Sequence, residues 1–188
     1  MKKFRFVVYL PLSVLVGFFL VNLLSCSKTK ELAAFDVTCN LPKIYFNYPP
    51  AGLKATEVTL YSGKIKIPLD SILSANHIPS GIIGSAYLSK MAMIITNPPE
   101  ATFNWLDSVR MLGSLDSTFL QPSELGSATG IDPNAKTVDL TMNNVDLRPL
   151  IYRDTYYLRI LVTPSGLVPA SAINIYLDSQ IKLHIEPL

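Results

Sequence analysis

Few side chains in this sequence are suited to covalent or acid–base chemistry. There are two histidines, His77 and His184, and two cysteines, Cys26 and Cys39. Hydrolysis by a protein nucleophile needs a Ser or Cys beside a histidine that a carboxylate orients. His77 stands in the Pro-flanked stretch His77-Ile78-Pro79, whereas His184 alternates with Lys182 and Glu186 on the polar face of a terminal strand. Gly113-Ser114-Leu115-Asp116-Ser117 matches the nucleophile elbow Gly-x-Ser-x-Gly only superficially. Neither histidine has a ligand partner at metal-binding spacing, and Asp132-Pro133-Asn134 reads as a turn rather than a calcium loop. Asp107, Asp116, Asp139, Asp154 and Asp178 fall at strand ends or on polar faces, where solvation is the ordinary role of a carboxylate. The expectation is a protein without catalytic residues, metal or cofactor.

Aromatic side chains are the remaining candidates for a site. Tyr45, Phe46 and Tyr48 precede Pro49-Pro50, and Phe103 and Trp105 follow Pro98-Pro99. If both Pro-Pro loops lie at one end of the domain, Tyr48, Phe103 and Trp105 form a platform for an envelope glycan or a peptide. The competing expectation is that Trp105 packs in the core.

These residues need a scaffold, and period-two alternation supplies one. Phe35, Val37, Cys39 and Leu41 alternate with polar residues, which makes Cys39 a small core hydrophobe. Val58 and Leu60 lead through Ser62-Gly63 into Ile65 and Ile67, the pattern of a hairpin. Met91, Met93 and Ile95 share a face of a long strand, and Val109, Met111 and Leu115 share the next. Val138, Leu140 and Met142 read as one strand, and Tyr156, Leu158, Ile160 and Val162 as another. Ile173, Ile175 and Leu177 precede a last strand with Ile181, Leu183 and Ile185 on one face. So many half-wet strands in 188 residues predict an all-β, two-sheet antiparallel β-sandwich, immunoglobulin-like or LEA14-like. One or two short helical turns are expected, at Pro68–Leu73 and Val145–Ile151. The stretch Gln121 to Asn134 is the longest expected loop.

The first residues read as an address. Lys2, Lys3 and Arg5 precede Phe6–Leu24, 19 residues without a charge, and the run ends at Leu23-Leu24-Ser25-Cys26. That ending resembles the bacterial lipobox, in which the cysteine takes a diacylglyceryl thioether and becomes the mature N-terminus. The resemblance implies a signal peptide at 1–25 forming an N-terminal signal helix, a lipidated tether at 26–33 and a single sandwich domain at 34–188. It assigns Cys26 as the palmitate-bearing residue and the membrane as a partner through its lipid. Ser27, where an acidic residue would resemble an inner-membrane retention signal, implies the outer membrane. The absence of an acidic run after it favours the periplasmic face over the cell surface. Lipobox plus one β-sandwich is similar to many Bacteroidota-type envelope lipoproteins of unknown function. Asn97-Pro98 after a central strand resembles the LEA14-type and WHy-type sandwich domains.

Charge narrows the function. Removing Lys2, Lys3 and Arg5 leaves thirteen basic residues against fourteen acidic ones, no footprint for nucleic acid. The expected function is a lipid-anchored binding or scaffolding module, with an envelope glycan or protein as partner. Two readings from other classes stand beside it. An envelope polysaccharide hydrolase would show converging carboxylates in a pocket, and a fimbria-like assembly subunit would show a groove awaiting a donor strand.

Overall fold

The computed structural model describes residues 34–49, 56–75, 82–153 and 155–186. The leader, Cys26 and its tether, and also His77 and Asp154, lie outside the described residues. The elements run β1 (Phe35–Asn40), β2 (Ile44–Tyr48), β3 (Val58–Lys66), α1 (Leu69–Ala75), β4 (Ile82–Asn97), β5 (Leu106–Ser114) and β6 (Ser123–Thr129). Then come β7 (Thr137–Asp139), β8 (Thr141–Met142), α2 (Arg148–Ile151), β9 (Thr155–Pro164) and β10 (Ile173–Glu186). The domain is an all-β, two-sheet antiparallel sandwich. The first sheet is ordered β1-β10-β4-β7, with β2 also on β10, and the second β3-β9-β5-β6-β8.

Strand β10 sets the geometry. Its odd-numbered residues from Ile173 to Ile185 are buried, while its even-numbered ones face solvent to varying degrees. On one edge β4 pairs along its whole length, from Asn174↔Asn97 to Glu186↔Ile82. The other edge is shared end to end by β2, from Ile173↔Tyr48 to Leu177↔Ile44, and β1, from Asn40↔Gln180 to Phe35↔Ile185. The link between them carries Pro42, which has no N–H to pair, and Leu41 N–H donates to the Ser179 carbonyl at 2.9 Å. The sequence divides this strand in two because Ser179 interrupts the aliphatic series; Ser179 is in fact buried in phase with it.

Further expectations are corrected. Ser62-Gly63 makes no turn: β3 runs straight through it, pairing Ser62 with Arg159 and Gly63 with Leu158. The glycine is there for space, since a Cβ on Gly63 would lie 2.3 Å from the Tyr61 hydroxyl. The run Val138–Met142 is two short strands in different sheets, with buried Leu140 at the crossing. Leu115 lies past the end of β5 and is exposed. Gln121 to Asn134 is not one loop, because β6 occupies its centre and pairs with β5 from Ser108↔Thr129 to Gly113↔Ser123. Its small residues, with Leu125 as the one large buried side chain, carry too little alternation to announce a strand.

Strand β4 explains why alternation is an incomplete guide. Opposite β10 its register skips between Asn97 and Ile95, between Lys90 and Leu88, and between Ser85 and Ile83. Each skip inserts one extra residue, a β-bulge that keeps the following side chains on the core face. Hence the buried apolar set Ile83, Ala86, Leu88, Met91, Met93 and Ile95 is irregularly spaced.

Ile160 is fully buried, in register with Tyr61 and Met111 on its two neighbouring strands. Ile160→Ala is expected to cost about 2–5 kcal/mol in chemical denaturation. Lys182→Ala, which removes only an exposed ion pair to Asp36, should cost at most about 1 kcal/mol. Equal losses would contradict the assignment of faces.

Candidate functional site

The structure brings the three expected aromatics together. Tyr48 and Trp105 stack with ring centroids 3.7 Å apart and planes 16° from parallel, and Phe103 lies 6.0 Å from Trp105. Tyr48, which precedes Pro49, therefore meets Trp105 of the segment after Pro98-Pro99, and the Asn97–Pro98 bond is cis. The rings point inward. Tyr48, Phe103 and Trp105 are each 0% exposed, so they do not form a surface platform. Parity on β2 decides this: Phe46 and Tyr48 share the core face, and Tyr45 and Asn47 take the other. Backbone bonds hold the stack in place, with Phe103 N–H donating to the Ala135 carbonyl at 2.8 Å and Ser165 N–H to the Trp105 carbonyl at 2.8 Å. The trio closes the end of the core.

Exposed Tyr45 and half-buried Tyr176 lie together on the outer face of the first sheet. Tyr45, 69% exposed on β2, sits beside Tyr176 of β10 with ring centroids 5.8 Å apart, and Lys43 Nζ stands 4.3 Å over the Tyr176 ring. In register on the far side of Tyr176 is Ile94 of β4. The neighbouring row crosses the same three strands as Asn47, Asn174 and Asn97, all exposed amides. On the other side Lys90 bonds Asp178 at 2.9 Å, and Gln180 donates to the Asn40 side chain at 3.0 Å. An amphipathic ring pair bordered by amides can stack on an apolar ligand face while bonding its polar groups. Sequence reasoning passed over Tyr176. The available signal was an aromatic on the even, polar parity of a strand whose odd positions are aliphatic.

The chemically active residues stay apart. His184 Nδ1 lies 2.8 Å from Asp36 Oδ1, and Lys182 Nζ lies 2.7 Å from Asp36 Oδ2, so this histidine belongs to a surface ion cluster. Ser114 is buried and donates to Asp116 at 3.1 Å, and Asp116 also accepts from Thr118 in the same turn. Asp132 Oδ1 accepts from Asn134 N–H at 2.9 Å, a turn as read. Cys39 is buried, and burial pushes its thiol up. Among the described residues no group of three or more His, Cys, Asp or Glu could hold a metal ion, and no helix is long and apolar enough to cross a membrane.

The shifted carboxylates are lowered, not raised. Asp36 is held down by hydrogen bonds from Lys182 and then His184, Asp116 by Thr118 above all, and Asp146 by Arg148. They lie on β1, in the β5–β6 connection and just before α2. Along β10 the inward side chains are buried, and the edge away from β4 is occupied by β1 and β2.

No family model and no curated protein matches this chain. Among solved structures it is similar to that of Desmodium yellow mottle tymovirus, at 19% identity and TM-score 0.30, covering 79% of this chain and 84% of that one. Turnip yellow mosaic virus at 100 K aligns at 16% identity and TM-score 0.30, covering 83% and 96%. The infectious bursal disease virus VP2 subviral particle aligns at 11% identity and TM-score 0.35, covering 82% of this chain and 33% of that one. This chain thus spans about a third of the VP2 chain. Overlaps this loose say nothing about ligand or assembly.

Trp105 is the sole tryptophan, so its fluorescence reports directly on the closed end of the core. Its emission should be blue-shifted and shielded from iodide until unfolding, and Trp105→Ala should cost about 3–5 kcal/mol. Ready quenching in the native state would place the ring at the surface.

Acid should destabilise the domain with a defined sign. A carboxylate lowered in the folded state from its ordinary 3.8 contributes fully above that value, and the contribution disappears as pH falls through the folded value. The thermal midpoint should therefore drop on acidification below about pH 4. A midpoint that is flat or rising over that range would contradict the roles given to Asp36, Asp116 and Asp146.

Proposed function

We propose that this protein is a non-enzymatic, lipid-anchored module of the cell envelope, held through Cys26, that binds glycan on the outer face of its first sheet. The anchoring half rests on the resemblance of Leu23-Leu24-Ser25-Cys26 to a lipobox, and it makes the protein an outer-membrane lipoprotein of the Bacteroidota type with the domain on the periplasmic side. The binding half rests on one observation, the pairing of exposed Tyr45 with half-buried Tyr176, bordered by Asn47, Asn97 and Asn174. Phenol rings stack on the C–H faces of sugars, and amides both donate to and accept from hydroxyl groups.

The geometry suits a tethered binder. The chain enters the described domain beside Ile185, the register partner of Phe35, and Tyr176 lies nine residues back along β10. At the rise of an antiparallel strand the tyrosine pair lies about 30 Å from Phe35, where β1 begins, which supports a site away from the proposed anchor.

Two measurements test the two halves. Cys26→Ala should abolish palmitate incorporation and leave the precursor uncleaved, and persistent labelling would refute the lipid assignment. Purified envelope polysaccharides and peptidoglycan fragments should bind the intact protein, with Tyr45→Ala weakening the interaction about tenfold or more. Absence of binding to any of these glycans, or binding indifferent to Tyr45→Ala, would remove the glycan reading.

A further inference from the structure

The opposite sheet carries a cation without a counter-ion. Arg159 lies on the outer face of the second sheet, on β9, with Ser62 of β3 and Leu112 of β5 in register on either side. It is half-buried, and its Nε is shut off from solvent with no hydrogen-bond partner. The other arginines that pair do so fully. Arg110 holds Glu57 at 3.1 Å and Glu124 at 2.8 Å, and Arg148 holds Asp146 at 2.6 Å. Among the described residues Arg159 has no carboxylate and no hydrogen bond. The acids near it are engaged elsewhere: Glu124, in register with Leu112, turns to Arg110, and Asp116 spends its oxygens on Ser114 and Thr118.

What Arg159 does have is a ring. Phe119, in the β5–β6 connection, lies 3.9 Å from the guanidinium carbon. Its backbone is left-handed, with φ +56°, and it is buried, while the next residue, Leu120, is 82% exposed. A cation–π contact satisfies one face of a guanidinium but offers no acceptor to its in-plane donors. Of the Arg159 nitrogens only Nε is both shut off from solvent and unpartnered, which leaves the Nη1 and Nη2 fork as the part a ligand would meet. Lys64, exposed and without an ion pair among the described residues, lies one diagonal step away, opposite Tyr157.

We propose that Arg159, backed by Lys64 and the Ser62 hydroxyl, is a binding site for a carboxylate-bearing ligand. The charge calls for an anion. Capping by Phe119 leaves the planar fork as the approach, and a planar carboxylate meets such a fork with two parallel hydrogen bonds. Leu120 adds an apolar lip, which suits a carboxylate attached to an apolar group. This site is on the other sheet from Tyr45 and Tyr176 and stands or falls independently of the glycan reading.

The test follows the side-chain Nε–Hε signals of arginine by NMR in the full chain, held in a neutral detergent. Acetate is titrated at constant ionic strength, with chloride as the reference salt and inorganic phosphate as a separate arm. The Arg159 signal is expected to shift saturably with acetate and not with chloride, while those of Arg110 and Arg148 stay in place. Arg159→Lys, monitored through the amides of Ser62 and Leu112, should weaken the response tenfold or more. Lys64→Gln, an exposed change that leaves the fold intact, should weaken it several-fold. A non-saturable shift, or a response unchanged in both variants, would overturn the site. Phosphate saturating at lower concentration than acetate would overturn the carboxylate assignment.

Discussion

The ladder between β10 and β4 is the constraint on which the other elements depend. It pairs β10 from Asn174 to Glu186, and seven inward side chains of β10 from Ile173 to Ile185, Ser179 among them, are buried beneath it. Because pairing fixes parity, this one register assigns the outward face as well. β1 and β2 can share the remaining edge only because Leu41-Pro42-Lys43 steps between them at Ser179. The same register brings Tyr45 to Tyr176 and Asp36 to Lys182 and His184, side chains that are remote in sequence.

Closure of the sandwich uses different means at different places. At one lateral side the chain crosses from β7 to β8 with Leu140 buried between the sheets. At one end the Tyr48–Trp105 stack fills the gap between layers, with Phe103 against it. Burying a ring of this size stabilises more than exposing it to an uncertain ligand would, which is why the end of the core takes the aromatics. The outer sheet faces differ. One carries Tyr45, Tyr176 with Lys43 over its ring, and a row of amides, and the other carries Arg159 beneath Phe119. The two patches differ in chemistry and lie on the outer faces of different sheets.

Much of the fold was legible in the sequence, for reasons of period. Alternation needs only the neighbouring residues, so the inward sets of β9 and β10, the burial of Cys39 and the antiparallel two-sheet class follow from it directly. A charged start, an apolar run and Ser25-Cys26, read in linear order, carry the proposed lipid address. Tertiary structure decided whatever depends on which strand lies beside which. Local pattern made Ser62-Gly63 a turn and Gln121–Asn134 a loop, but pairing with β9 and β5 made both regions strand. Bulges in β4 broke the period that local pattern assumes. The aromatics illustrate the division most plainly. Their types announced a contact, and Tyr48 does meet Trp105. Whether the rings faced water or the core was set by the parity of β2 against β10, a long-range register that no neighbouring residue encodes.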